Sequence, residues 1–447
     1  MLMPITIDHL VDEQIQLANA TSRPLYLIIV ATKPCYIKLA SLILALSRNG
    51  SAFLAIDVGQ HYEKKLVHAR HELQYEHLIS VYLNVRGDLL GRTAELAERV
   101  NWLYLYLKNR QFKGQAIPVI SGDTSTAGMF PILWYFKTRL RSIHVEAGLR
   151  SFSPFIRQQI PDSFSEILDM QRERQGWNMI QDEPFPEAAD TRLASVCSQL
   201  FFTPVSLNTQ NMLREGTDSK DIHQVGSLSA DALSLIMKEP VETSVFDVYP
   251  FLSEGRWLRI DIHRRENISY QVLSELFKAI QELCGKGVRI VIVVSNALNK
   301  GIRTLGLENV WAALQQQEGV RVTPLWTHYQ HVIEFMRSPH CQGIYTDSGG
   351  LQEETQVLDI PCITCRYSTD RPETILHVQN NILVPPSSAS LISSSLEFIL
   401  ENGRSIFTNS DKLLYGKDVG DRIAGILGEY NPLPVPAMQD IFDDSVL

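Results

Sequence analysis

The chain has 447 residues, 45% of them apolar, which is too long for one ordinary hydrophobic core and rich enough to build two. Its 41 basic and 50 acidic residues leave a formal net charge of −9, which excludes a general nucleic-acid or anionic-membrane surface, so any phosphate has to be held locally. No uncharged stretch reaches the ~18 residues of a membrane helix, the start shows no basic region followed by an apolar run, and a cytoplasmic protein is expected.

Apolar runs predict strands over 25–31, 52–58, 117–120, 143–145 and 200–203, then 258–262, 288–294, 320–324, 343–346 and 361–365, with helical stretches between them. This alternation predicts an α/β fold of two Rossmann-like, doubly wound domains facing a central cleft. The series divides near 221–227. We expect a first domain over 1–225, a second over 226–408 led in by a helix at 230–237, and a segment 409–447 whose helix, within 410–430, packs back on the first domain before a tail extended by Pro432, Pro434 and Pro436. The stretch 151–182 breaks the rhythm. It is polar, carries Pro154 and Pro161, holds one amphipathic turn around 164–170, and is expected as a long insert of the first domain, either a lid or a surface excursion. Among the six cysteines only Cys362 and Cys365 are close, and their spacing continues an apolar run, so reduced, buried thiols are expected and no metal site.

Four strand ends carry the chemistry. In His144-Val-Glu-Ala-Gly-Leu-Arg-Ser151 an apolar strand runs into Glu146 and Arg150, at the carboxyl end where open α/β sheets bind ligands. Gly122-Asp-Thr-Ser125 places Asp123 in the same setting, and Glu187 follows in Pro184-Phe-Pro-Glu187. Three converging carboxylates would have their pKa values pushed apart by repulsion and desolvation, giving the base and acid that proton transfer at carbon requires. The plainer alternative is an N-cap at Asp123 and a Glu146–Arg150 pair.

In the second half, Asp347-Ser-Gly-Gly350 reads as a strand, a glycine turn and a helix start. The free N–H groups of Gly349 and Gly350 and the Ser348 hydroxyl suit a phosphate, and Glu354 one turn later suits the two hydroxyls of a ribose. His263-Arg-Arg-Glu-Asn267 gathers His263 and Arg264 at another strand end, where guanidinium forks suit a pyrophosphate. Lys33 and Lys38, on the helix after the first strand, and Arg371, in Thr369-Asp-Arg-Pro-Glu373, add positive charge; solvated surface lysines are the simpler reading of the first two.

Together these motifs, with Thr32-Lys-Pro34, Gly59-Gln-His61 and Gln352-Glu-Glu354, resemble the UDP-N-acetylglucosamine 2-epimerase family over about residues 25–430. The resemblance implies a glycosyltransferase-B-like fold with the nucleotide held mainly by the second domain. It further implies elimination of UDP from UDP-GlcNAc to 2-acetamidoglucal and re-addition on the other face to give UDP-ManNAc, a route that needs no NAD or metal, in a homodimer. By position, Asp123, Glu146 and Glu187 resemble the carboxylates that handle the C2 proton. Lys38, His263, Ser348 and Arg371 resemble groups around the departing UDP, and Glu354 resembles the ribose clamp. Lys33 stands where the family commonly has Arg.

Three departures stand out. After Glu187 the family continues with a second Glu and an Asn-Arg pair, whereas this chain has Ala188-Ala-Asp-Thr-Arg192. Ser295-Asn-Ala-Leu-Asn299 lacks the His of the Pro-x-His-x-Asn-Pro pattern linked to activation by a second UDP-GlcNAc, and 151–182 replaces a short loop. The expected activity is therefore 2-epimerisation of UDP-GlcNAc, with a hydrolysing relative that releases ManNAc and UDP, a sugar transferase on the same scaffold, or a non-catalytic nucleotide-sugar binder as alternatives.

Overall fold

The structure, a computed structural model, describes residues 2–59, 68–155, 160–174, 176–403 and 413–432. The expected motif residues Gln60 and His61, the start of the carboxyl-terminal helix before residue 413 and the tail beyond 432 lie outside these. The chain divides into two compact units, one of Met1–Leu149, Phe185–Ala232 and Gly416–Leu447, the other of Arg150–Pro184 and Leu233–Tyr415.

Among the described residues the strands are, in chain order, β1 (Ile5–Thr6), β2 (Leu25–Val30), β3 (Phe53–Asp57), β4 (Ile79–Tyr82), β5 (Ala116–Ser121), β6 (Ser142–Val145), β7 (Ser151–Ser153), β8 (Asn178–Ile180), β9 (Ser198–Thr203), β10 (Ile222–Gln224), β11 (Trp257–Ile262), β12 (Ile290–Val294), β13 (Val320–Pro324), β14 (Cys341–Thr346), β15 (Cys362–Thr364) and β16 (Asn381–Leu383). The first unit holds one sheet in the order β1-β4-β3-β2-β5-β6-β9-β10, parallel except where β1 pairs with β4. The second holds β13-β12-β11-β14-β15-β16, parallel throughout. Both are the doubly wound α/β sheets expected from the alternation of strands and helices.

Physical causes are visible in single elements. β2 is the uninterrupted run Leu-Tyr-Leu-Ile-Ile-Val, buried at every position, as a central parallel strand covered on both faces must be. In the second sheet the two faces separate by alternation: Leu258, Ile260, Ile262, Ile290 and Ile292 enter one core cluster, while Trp257, Val291 and Val293 enter another. Helix Lys33–Asn49 opens with Pro34 in its first turn and stops at Gly50, whose φ of 71° closes the end. The strands absent from the expectation, β1, β4, β7, β8, β10 and β16, are short, and several begin or end in polar residues, so their apolar signal is weak.

Residues 150–184 group with the second unit, where the sequence placed them as an insert of the first. Their apolar side chains explain the difference. Phe155 and Ile167 are buried in the second unit's core, and Phe164 of helix Phe164–Arg172 lies against Phe398 with ring centroids 5.3 Å apart. Helix Val419–Glu429 belongs to the first unit, where Gly420 abuts the backbone of Ser41 and its N–H donates to the Asp231 carboxylate at 2.7 Å. No helix among the described residues is long and apolar enough to cross a membrane.

Candidate active site

In the first unit the strand order reverses between β2 and β5, and ligands of open α/β sheets bind beyond the carboxyl ends of strands at such a reversal. Helix Lys33–Asn49 after β2 carries Lys33 and Lys38, the loop after β5 carries Asp123, and the turn after β6 carries Glu146. Lys38 Nζ lies 2.6 Å from Glu146 Oε1, with side chains 12% and 2% exposed, and the Ser121 hydroxyl donates to Glu146 Oε2 at 3.0 Å. Lys38 is thus no solvated surface lysine. Glu146 has φ of 60°, a left-handed backbone that non-glycine residues adopt rarely and that clusters at functional sites.

Three neighbours fix this turn. His144 is fully buried, its Nε2 2.9 Å from the Gly122 carbonyl oxygen and its Nδ1 3.1 Å from the Ser195 hydroxyl. Gly148, at φ of 82°, sits so close to the Asn208 backbone that a Cβ would collide with the Asn208 carbonyl oxygen. Asn208 and Asn211 donate their amides to the Gly148 carbonyl at 3.2 and 3.0 Å. The Ala-Gly-Leu turn is therefore dictated by close approach as well as by conformation.

Helix Ser125–Thr138 is capped by Thr124, whose hydroxyl accepts from the Ala127 N–H, so capping is not the role of Asp123. Glu187 opens helix Glu187–Val196. Three residues on, Asp190 is buried against Gly128 and accepts from the Ser125 hydroxyl at 2.8 Å. Burial, and secondarily the charge of Asp123, push the Asp190 carboxyl up to about 6. The sequence reading missed Asp190. Its signal was available, since it lies one helical turn beyond Glu187 where the family has Asn.

In the second unit the order reverses between β11 and β14, and the residues following these strands are His263 and Asp347. Asp347 is fully buried and accepts the backbone N–H groups of His263 and Arg264 at 3.1 and 2.9 Å, the Asn267 amide at 3.0 Å and His263 Nδ1 at 3.0 Å. The His263 ring is 42% exposed. Its partial burial would lower its pKa, but Asp347 and Asp261 outweigh that and hold the imidazole above its ordinary range. Asp347, quoted in the motif but given no role, orients the whole strand end.

Ser348 caps helix Gly349–Leu358, accepting from the Leu351 N–H, so Gly349 and Gly350 occupy the first turn, where helix amides lack intrahelical acceptors. Glu354, on the same helix, accepts from the Tyr329 hydroxyl at 3.1 Å. Arg264 donates its Nε to the Asp347 carbonyl at 3.0 Å. Arg371 is 3% exposed and is committed to Glu353, and to Asp370 at 3.2 Å. Asp370 also accepts from Arg366 at 2.9 Å, and these guanidiniums overcome burial to hold its carboxyl well below the usual range. Arg371 is therefore a buried guanidinium held by carboxylates. Cys362 and Cys365 are fully buried, which raises both thiols, Cys362 to about 12, and leaves them protonated and unreactive.

The family model for UDP-N-acetylglucosamine 2-epimerase matches residues 178–428. A UDP-N-acetylglucosamine 2-epimerase of Methanocaldococcus jannaschii is 27% identical over 90% of this chain and 99% of its own length. One of Methanococcus maripaludis is 26% identical over 84% and 92%. The structure of the M. jannaschii UDP-GlcNAc 2-epimerase in complex with UDP-GlcNAc and UDP superposes with a TM-score of 0.71 at 25% identity, covering 91% of this chain and all of that one. The enzyme of Neisseria meningitidis bound to UDP-GlcNAc, 22% identical with a TM-score of 0.67 over 91% and 98%, shares the fold.

Proposed function

Because the chain belongs to the UDP-N-acetylglucosamine 2-epimerase family, we propose that it interconverts UDP-GlcNAc and UDP-ManNAc. Asp123, Glu146 and Glu187 are the carboxylates of the reaction. One of them removes the C2 proton, the electron pair forms the C1–C2 double bond, and the C1–O bond breaks with its electrons passing to the β-phosphate oxygen. UDP and 2-acetamidoglucal result. Protonation of C2 from the other face and attack of the UDP oxygen on C1 complete the epimerisation, with elimination in the anti sense.

The C2 proton is weakly acidic, so departure of UDP needs electrostatic help. His263, whose protonated form Asp347 and Asp261 favour, Arg264, and the capped turn Ser348-Gly349-Gly350 supply it. Lys33 and Lys38 add positive charge from the first unit, Glu354 holds the ribose, and Arg371 keeps the cradle in place through Glu353 and Asp370. The observation that carries the reading is Glu146, in a left-handed backbone at a strand end with a part-buried lysine and a buried serine on its two oxygens. Bringing the carboxylates and the cradle around one sugar is part of the proposal, as are a cytoplasmic location and a homodimer.

Incubation with UDP-GlcNAc in deuterated water tests this directly. Deuterium at C2 of UDP-ManNAc is expected. Label in free ManNAc would replace the reading by the hydrolysing one, which the absence of a His in Ser295-Asn-Ala-Leu-Asn299 favours. Sugar transfer without C2 exchange, or binding with neither, would overturn it.

A further inference from the structure

Residues 367–373 hold Arg371, Asp370 and Thr369, and the backbone of this loop is fastened from outside by the segment that replaces a short loop of the family. Phe152 of β7 donates its N–H to the Thr369 carbonyl at 2.8 Å, and the Thr369 N–H returns to the Phe152 carbonyl at 2.9 Å. The Ser153 hydroxyl donates to the Tyr367 carbonyl at 2.6 Å, and Ser368 donates to the Glu183 carboxylate at 3.3 Å. β7 therefore pairs with β8 on one side and bridges to the loop at Thr369 on the other.

A second attachment lies on the sheet edge. Gln171, 4% exposed, donates its amide to the Leu383 carbonyl at 2.6 Å and accepts the Leu383 N–H at 3.0 Å, filling on β16 the positions a further strand would fill. Neighbouring Asn381 donates to Gln352 Oε1 at 3.1 Å, the same oxygen that takes the Thr369 hydroxyl at 2.6 Å. Gln352 belongs to the first turn of helix Gly349–Leu358. Hydrogen bonds thus connect Phe152 through Thr369, and Gln171 by way of the backbone of β16 from Leu383 to Asn381, to Gln352 at the helix end that carries Ser348, Gly349 and Gly350.

We propose that Phe152, Ser153, Gln171 and Glu183 form a built-in clamp that orders the 367–373 loop against the amino end of helix Gly349–Leu358 before the nucleotide arrives, so that UDP binding does not have to order it. The proposal rests on the function given above. Ser153 and Gln171 are positioning residues that touch no substrate. Ordering a loop in advance removes an entropic cost that binding would otherwise bear.

The test compares full-length wild type with Ser153→Ala and Gln171→Met, using amide hydrogen exchange and calorimetric titration with UDP alone. In the free variants, exchange across 367–373 should rise about tenfold while β11 keeps its protection, and saturating UDP should restore the loop. The Kd for UDP should weaken roughly 5- to 20-fold, with KM rising and kcat changing less than twofold. Unchanged loop exchange, or a looser loop with a Kd within twofold of wild type, overturns the clamp. If β11 also loses protection, Glu183→Ala, whose contact lies at the segment's margin, replaces the variant with the same expected direction. Failure of wild type to bind UDP at all would sink the functional reading; the exchange of the free protein would then decide alone whether the clamp orders the loop.

Discussion

Lys38 and the buried Glu146 form an ion pair, Nζ to Oε1 at 2.6 Å, between the helix after β2 and the turn after β6. The pair, with the Ser121 hydroxyl on the other oxygen, fixes the position of the carboxylate. Removing one partner of such a pair leaves an uncompensated buried charge, at a cost of about 3 kcal/mol or more. Lys38→Met should therefore lower unfolding stability in urea by about that much, and Lys38→Met with Glu146→Gln should recover most of the loss. Glu146→Gln alone should abolish C2 deuterium exchange while UDP affinity stays within a few-fold. Full exchange in that variant would remove Glu146 from the mechanism.

Gly148 is the point where the motif turn meets Asn208, and it combines a φ of 82° with no room for a side chain. Gly148→Ala has to strain the backbone and displace a main-chain segment together. We expect a loss of roughly 2–4 kcal/mol in equilibrium denaturation, and loss of C2 exchange in whatever fraction stays folded, since Glu146 lies two residues away. A variant as stable and as active as wild type would show that the approach of Asn208 does not constrain the turn.

Glu373 gives a pH signature. Its side chain is fully buried, and burial raises its carboxyl from 4.5 to about 7 against the opposing effects of Arg371 and the Tyr415 hydroxyl, which donates to it at 2.7 Å. A raised carboxyl means that the folded state holds the proton more tightly than the unfolded chain. Its contribution to stability is full below 4.5 and declines as pH climbs through 7, by roughly 3 kcal/mol at most. Glu373→Gln cannot titrate, so its stability relative to wild type should improve steadily from pH 5 to pH 8, as measured by thermal or urea unfolding at each pH. Parallel pH profiles for the two proteins would show that Glu373 keeps an ordinary pKa.

The long apolar runs told most of the fold. β2, β5, β11 and β14 are buried on both faces and flanked by charged or hydroxyl residues, and such runs need no tertiary information to be read as central parallel strands. The motifs at their ends were legible for the same reason: Gly148 sits where backbone geometry and close approach admit little else, and charge at the end of an apolar run has few structural explanations. Fixed by sequence, then, were the α/β class, the family and the residue types available for chemistry.

Partnership was decided by the tertiary structure. Lys38 and Glu146 are 108 residues apart, and only parallel pairing of intervening strands turns them into an ion pair. Arg371 reads as a free cation until the structure buries it against Glu353 and Asp370, and Asp190 carries no reading of its own until Ser125 and Gly128 enclose it. The described residues of 150–184 reveal their allegiance through Phe155, Phe164, Ile167 and Gln171, because short polar strands and single buried side chains leave no periodic trace. Local periodicity reports which surfaces are apolar; which surfaces and charges meet depends on contacts between residues far apart in the chain, and those exist only in the folded molecule.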